Sequence, residues 1–289
     1  MQAWRAKEKA LKFLSGHPAD SYSRLLSYLY ILEKTYPGSV VKLQKTKNDC
    51  LLYEFVALNT PIKGWELCRA VVIVDGTFLK SAYREIMLTT STMDASSNIL
   101  PLAYAVVDSE NDVSWRWSRV HATVNRTWTM TSKIAESLNA VTKDARELPV
   151  VELLEYMRTL LERWTNEKLL NGKGTFTYLG KKYNKELEDN RTLSQKMRVR
   201  ASTDYIDTVI DGVKRFIVCL QNKRCRCGQF QLDELPCPHA LAALRHRNES
   251  YKNYCSLYYT RESLLQTYEI PVDPFPDESK WNMPQYIAE

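Results

Sequence analysis

The sequence predicts an α+β protein, and three observations carry that prediction. Three apolar runs separated by turn residues follow one another between residues 70 and 108, which is the pattern of an antiparallel meander. Between Val150 and Trp164, leucine and methionine recur at helical spacing. Residues 225 to 239 contain three cysteines and a histidine, a concentration of ligands that is typical of a small module stabilised by a metal ion.

Length and composition allow two modest domains. The chain has 289 residues, of which 44% are hydrophobic and 26% are charged, so disorder throughout is excluded. Its net charge, 40 − 34 = +6, is a mild basic excess. No apolar run approaches the length of a membrane span, and we expect a soluble protein without a membrane partner.

The cysteines and the histidine form two closely spaced pairs. Cys225-Arg-Cys227 is followed after nine residues by Cys237-Pro-His239. Thiolates at about 2.3 Å and an imidazole at about 2.0 Å from the ion complete a tetrahedral zinc site, so we predict one zinc ion bound by these four side chains. The alternative is a set of ordinary buried thiols beside a surface histidine.

A disulfide framework is the weaker alternative. Seven cysteines are an odd number, and no signal peptide is evident at the start of the chain. We therefore expect a reducing, intracellular compartment and no secretion.

The residues around the four ligands predict a ββα unit. Asp211-Gly212 joins two β-rich runs, Tyr205 to Asp211 and Arg215 to Leu220, and such a dipeptide favours a tight hairpin turn. The hairpin would present the first ligand pair at its outgoing end. From His239 onward the sequence is rich in alanine and leucine, which favours a short helix that begins at the second pair.

The complete pattern resembles the SWIM zinc finger, in which a C-x-C pair precedes a C-x-H pair. Flanking residues strengthen the resemblance: they are Gly228-Gln-Phe230, Leu235-Pro236 and His239-Ala-Leu-Ala-Ala-Leu244.

A second resemblance covers the middle of the chain. Three motifs resemble the transposase domain of plant Mutator-like elements (MULE). They are Val74-Asp75-Gly76-Thr77-Phe78, Asp108-Ser-Glu-Asn-Asp112 and Ser114-Trp115. A downstream SWIM finger is a feature of that family and of its far-red-impaired-response relatives. The resemblance implies an RNase-H-like fold, a nuclear protein and DNA as a partner.

In the enzymes of this family three carboxylates hold two divalent metal ions. The resemblance makes Asp75 the first of them and Glu136, within Thr131 to Asn139, the third. The segment that carries the second is missing, because Trp115 is followed almost at once by the helix. We therefore expect Asp75 and Glu136 to be vestigial and the domain to be a truncated meander. The deletion would leave three strands with one face uncovered, which the helix Val150 to Trp164 would cover.

These expectations divide the chain into five parts. They are an N-terminal helical and strand segment (1–60), a partial RNase-H-like transposase domain (61–118), its helical remainder (119–204), the SWIM finger (205–247) and a C-terminal tail (248–289).

The function that follows is that of a catalytically inactive, zinc-binding SWIM protein derived from a Mutator-like transposase. One alternative is an active Asp-Asp-Glu transposase using Asp75, Asp108 and Glu136, and another is a non-functional transposon remnant. Arg224, Arg226 and Arg245 surround the finger and indicate a surface for phosphate groups. A solvated face or a protein partner explains the same charges, and the oligomeric state stays open.

Overall fold

The computed structural model describes residues 18–46, 51–80, 85–108 and 131–281. The predicted motif around Asp112 and Trp115 lies outside these residues. The chain divides into two compact units, the first made of residues 1–93, 99–170 and 266–289 and the second of residues 94–98 and 171–265. No helix in the described ranges is long and apolar enough to cross a bilayer.

The first unit is built on one antiparallel sheet. Its elements are α1 (Pro18–Thr35), β1 (Val40–Lys45), β2 (Leu51–Ala57), α2 (Asn59–Trp65), β3 (Ile73–Phe78), β4 (Ile86–Met93), β5 (Ile99–Val107), α3 (Thr131–Val141) and most of α4 (Val150–Lys173). The strand order is β1-β2-β5-β4-β3, so the predicted meander of β3, β4 and β5 is present. The predicted strand count was wrong, because β2 also pairs with β5 and brings β1 with it.

The two faces of this sheet have different coverings. One face carries an apolar cluster that includes Phe55, Leu88 and Ala105, and Ile62 of α2 packs against it. The sequence analysis expected one face of the sheet to be uncovered apart from the helix Val150 to Trp164, but α2 also packs on the sheet. Tyr104 lies on the opposite face, where burial raises the pKa of its hydroxyl and the positive charge of Arg158 on α4 opposes that shift.

Helices α1 and α4 pack together through buried polar contacts. Ser21 Oγ donates to Glu152 Oε2 at 2.7 Å, and Tyr28 Oη donates to Glu155 Oε2 at 3.1 Å. The proline-rich segment near residue 273 joins the same unit, since Tyr36 Oη donates to the Asp273 carbonyl at 2.6 Å. These contacts anchor a segment for which the sequence offered no periodicity.

The second unit contains the finger. Its elements are α5 (Lys181–Ser194), β6 (Arg198–Ala201), β7 (Ile206–Asp211), β8 (Lys214–Cys219), β9 (Arg224–Cys225), α6 (Gln229–Asp233), α7 (Pro238–His246) and α8 (Arg261–Thr267). The four strands form one antiparallel sheet in the order β6-β7-β8-β9. The predicted ββα unit therefore corresponds to the β7–β8 hairpin and α7, and β6 and β9 extend the hairpin to a four-stranded sheet.

The β7–β8 hairpin forms at the predicted place. Asp211 pairs with Lys214, which leaves a two-residue loop of Gly212 and Val213. Gly212 has φ +57°, a left-handed value that glycine adopts without steric cost and that matches the twist of the strands. On the inner side of the sheet Val209 and Val218 are fully buried in the core that also contains α7.

Candidate metal centre

The structure brings the four predicted ligands together at one end of the second sheet. The metal-binding atoms of Cys225, Cys227, Cys237 and His239 all lie within 4.8 Å of one another. Cys227 Sγ is 3.6 Å from Cys237 Sγ, and Cys237 Sγ is 4.0 Å from His239 Nδ1. Tetrahedral zinc with sulfur ligands separates two sulfur atoms by about 3.8 Å, so the donor set fits this ion.

The first ligand pair is held by a short, tightly bonded turn. The amide of Gly228, whose φ is +85°, donates to the Cys225 carbonyl at 2.9 Å. Gln231 fixes the same residue from α6: its Oε1 accepts from the Cys225 amide at 3.0 Å and its Nε2 donates to the Cys225 carbonyl at 3.1 Å. The sequence analysis missed Gln231, because no spacing rule marks a side chain that clamps a neighbouring backbone.

The second ligand pair begins a helix. Cys237 is the N-cap of α7, and its Sγ accepts from the Ala240 amide at 3.5 Å. Pro238 occupies the first turn, where its missing N–H leaves no partner unsatisfied. The positive end of the helix dipole favours a thiolate at this position. The ring of His239 stacks on Phe216 with centroids 3.8 Å apart, which fixes its plane.

The thiols influence one another strongly. Hydrogen bonding from Cys237 lowers the pKa of Cys225 to about 4. The pKa of Cys237 is raised by its hydrogen bond to Cys225 and by burial, and burial also raises the pKa of Cys227. A divalent ion that binds these side chains as thiolates must displace the protons that the thiols carry.

An acidic residue lies near the ring nitrogen of His239 that faces away from the cysteines. Its Nδ1 faces the cysteines, whereas Nε2 is buried, lacks a hydrogen-bond partner and lies 3.7 Å from Asp211 Oδ2. A histidine that binds a metal through one nitrogen commonly donates its other N–H to a carboxylate, which fixes the tautomer and increases ligand basicity. Asp211 is in position to supply that carboxylate.

We expect Asp211→Asn to weaken zinc binding by about tenfold or more, because the amide cannot stabilise the developing positive charge on the imidazole. Competition with a chromophoric chelator measures the affinity. Asp204→Asn is the matched control, since Asp204 is an exposed acid before the same hairpin. Equal affinities for the two variants would contradict a role for Asp211.

Two segments of the chain match models of known protein families. Residues 216–248, which include all four ligands, match the model of the SWIM zinc finger. The cluster is the zinc site of a SWIM finger. Residues 71–147 match the model of the MULE transposase domain, which supports derivation of this SWIM protein from a MULE transposase. No curated protein and no solved structure matches the chain.

The predicted first carboxylate lies on β3, where α3 packs against it. Asn139 Nδ2 of α3 donates to Asp75 Oδ2 at 2.6 Å. Glu136 is exposed and precedes Asn139 by one helical turn, so it lies on the same side of α3. The structure thus places the helix of Glu136 beside the strand of Asp75.

The other acids of this region lie elsewhere. Asp108 follows β5, two strands across the sheet from Asp75 and four residues, about 13 Å, beyond its partner Tyr104 along the strand. Asp94 is buried in the β4–β5 turn, and its Oδ1 accepts from the amides of Ser96 and Asn98 at 2.8 Å. Asp94 therefore stabilises a turn.

A buried carboxylate that the sequence analysis missed is Glu54 on β2. Neither of its oxygens has a hydrogen-bond partner, and burial together with the nearby charge of Glu85 raises its pKa well above the usual value. It shares a sheet face with Asp75 but lies three strand spacings away, about 14 Å. The signal was a single acid inside the apolar run Leu51–Ala57.

The three predicted phosphate-binding arginines have different environments. Arg224 and Arg226 are exposed on either side of Cys225. Arg245 is exposed on α7, but its Nη2 donates to the carbonyls of Ser194 at 3.1 Å and Met197 at 3.3 Å. Part of its guanidinium thus ties α7 to the chain that leads into β6.

Proposed function

We propose that this protein is a nucleic-acid-binding descendant of a MULE transposase, stabilised by a zinc finger and without DNA-cleaving activity. One observation carries the proposal. The ligand atoms of three cysteines and one histidine lie within 4.8 Å of one another, in a segment that matches the SWIM zinc finger.

The zinc site supports a structural role. Three thiolates and one imidazole fill a tetrahedral coordination sphere, which leaves no position for a substrate or an activated water. The bound ion would supply cross-linking between β9 and the start of α7. The chain's own residues then orient the ligands, Gln231 through the backbone of Cys225 and Phe216 through the ring of His239.

The surroundings of Asp75 support the absence of a catalytic site. Its carboxylate is already engaged by Asn139, and Arg146 donates to Thr77, two residues further along the same face of β3. Arg146 brings a positive charge to this face of β3, and that charge opposes the binding of a divalent cation there. Asp108 and Glu54 lie too far away to complete a two-metal site with Asp75.

Charge and family resemblance support nucleic acid as the partner. The chain has a net charge of +6, and Arg224 and Arg226 project from the edge of the finger. The order of the sequence motifs favours a relationship to plant MULE elements and to far-red-impaired-response regulators. That relationship in turn favours a nuclear location. A protein partner is the competing use of the same surface.

Catalysis is tested by incubating the zinc-loaded chain with labelled duplex DNA and Mg²⁺ or Mn²⁺, and measuring cleavage and strand transfer. We expect no product above the level given by Asp75→Asn and Glu136→Gln. Product that disappears in both variants would instead favour an active Asp-Asp-Glu transposase. Binding is measured separately at low salt, where absence of any nucleic-acid complex would overturn the binding half of the proposal.

A further inference from the structure

The outer face of the second sheet presents arginine and isoleucine side chains to solvent. Side chains alternate between the two faces of a strand, and the inward positions include the buried Val209 and Val218. We call the opposite side the open face. Its residues are Arg198 and Arg200 on β6, Ile206, Thr208 and Ile210 on β7, Arg215, Ile217 and Cys219 on β8, and Arg224 on β9, with Arg226 just beyond.

The strand register places arginines along both borders of the open face. Arg198 pairs with Ile210, which pairs with Arg215. Ile206 pairs with Cys219, which pairs with Arg224. One row of arginines therefore follows β6, and a second follows β8 and β9. Two to three strand spacings separate the rows, about 10 to 14 Å.

No acidic side chain on these strands neutralises the five arginines of the open face. All five are exposed, and none forms an ion pair with a residue that the structure describes. No aspartate or glutamate occupies an outward position on these four strands, because Asp207 and Asp211 alternate to the other side. Arginine presents a planar fork of donors that matches phosphate oxygens, so this surface is complementary to a polyanion.

Between the two rows lies an apolar strip. Ile217 keeps 51% of its surface exposed, and Ile206 and Ile210 are half-buried. Exposed branched aliphatic side chains bordered by charge indicate a contact surface. They offer no hydrogen-bond donor or acceptor to a base edge, so they provide contact area without reading a sequence.

We propose that the open face binds double-stranded DNA, with one arginine row on the phosphates of each strand and the apolar strip over the groove between them. This inference rests on the proposed function. A duplex presents two rows of phosphates across grooves about 6 and 12 Å wide, whereas a single strand presents one row. Single strands are usually held by aromatic platforms, and no outward position on these four strands carries an aromatic side chain. Arg224 and Arg226 belong to the open face, and Arg245 lies outside it.

The test compares two variants with the same change in charge. The face variant carries Arg198→Gln, Arg200→Gln and Arg215→Gln, all distant from the zinc ligands in sequence. The control variant carries Lys181→Gln, Lys185→Gln and Lys196→Gln, which are exposed lysines of the same unit. Fluorescence anisotropy of the zinc-loaded full chain measures binding to two unrelated short duplexes and to a single strand across a salt series. Zinc content by mass spectrometry verifies that each variant is folded around its metal.

We expect the face variant to lose about tenfold or more in duplex affinity at low salt and to flatten the salt slope by about 2 to 3, because each lost phosphate contact removes about 0.9 from it. The control variant should keep most of both. Ile217→Glu, which leaves every arginine in place, should also weaken duplex binding. Wild-type chain should prefer duplex to single strand and bind both duplexes alike.

Three outcomes overturn the inference while leaving the proposed function standing. The first is an equal loss of duplex affinity in the face and control variants. The second is tighter binding of the wild-type chain to the single strand than to the duplexes. The third is unchanged duplex affinity in both the face variant and Ile217→Glu. Failure of the wild-type chain to bind any nucleic acid at low salt overturns the proposed function itself and leaves an acidic protein surface as the partner of the open face.

Discussion

Replacing Cys237 by serine is expected to abolish tight zinc binding and to unfold the finger. Cys237 is fully buried and supplies one of the four ligands. Serine can still accept from the Ala240 amide as an N-cap, but its hydroxyl is a poor zinc ligand, so the substitution acts on the metal site. In small zinc modules the free energy of metal binding is folding free energy, on the order of 10 kcal/mol. Few cores of this size stay folded without that contribution.

Native mass spectrometry of the purified chain measures the zinc content, and hydrogen exchange measures protection of residues 205–247. Cys219→Ser is the matched control, because Cys219 lies in the same hairpin, is half-buried and is not a ligand. The control should keep one zinc ion and native protection. A Cys237→Ser chain that retained full zinc stoichiometry would show that the ligand assignment is wrong.

The zinc site was accessible to sequence analysis because its determinants are local. Two ligand pairs within fifteen residues can be arranged around one ion in few ways. The turn at Gly212 marks the hairpin before the first pair, and the alanine-rich sequence marks the helix that begins at the second pair. The residues that support the ligands were not accessible. Asp211 reaches His239 across the hairpin, and a contact between residues distant in sequence depends on register, which no spacing rule supplies.

The first sheet illustrates the same distinction. β3, β4 and β5 are apolar runs with their own sequence signals, and their meander follows from short connections. The pairing of β2 with β5 joins residues near 55 to residues near 105, and only the folded chain reveals it. That pairing widens the sheet to five strands, and Ile62 of α2 packs on one of its faces.

An ion pair with a buried carboxylate joins the end of α7 to the start of β7. Arg247 Nε donates to Asp207 Oδ2 at 2.7 Å, and its Nη2 donates to Asp207 Oδ1 at 3.1 Å and to the Thr203 carbonyl at 2.6 Å. Asp207 has no exposed surface, whereas 17% of the Arg247 side chain is exposed. Two parallel N–H···O bonds make this the geometry in which arginine binds a carboxylate most strongly.

We expect Arg247→Met to lower the free energy of unfolding by about 2 to 4 kcal/mol, because it leaves the charge of Asp207 buried without a partner. Adding Asp207→Asn to the same chain should recover part of the loss, since the uncompensated charge is then gone. Arg191→Met is the control: Arg191 and Glu188 form an exposed pair 3.8 Å apart, whose loss should change stability by less than about 1 kcal/mol. Urea denaturation of the zinc-loaded variants, followed by circular dichroism, compares them. If Arg247→Met were no more destabilising than Arg191→Met, the pair would contribute nothing to holding α7 on the sheet, and the zinc ion alone would bear that role.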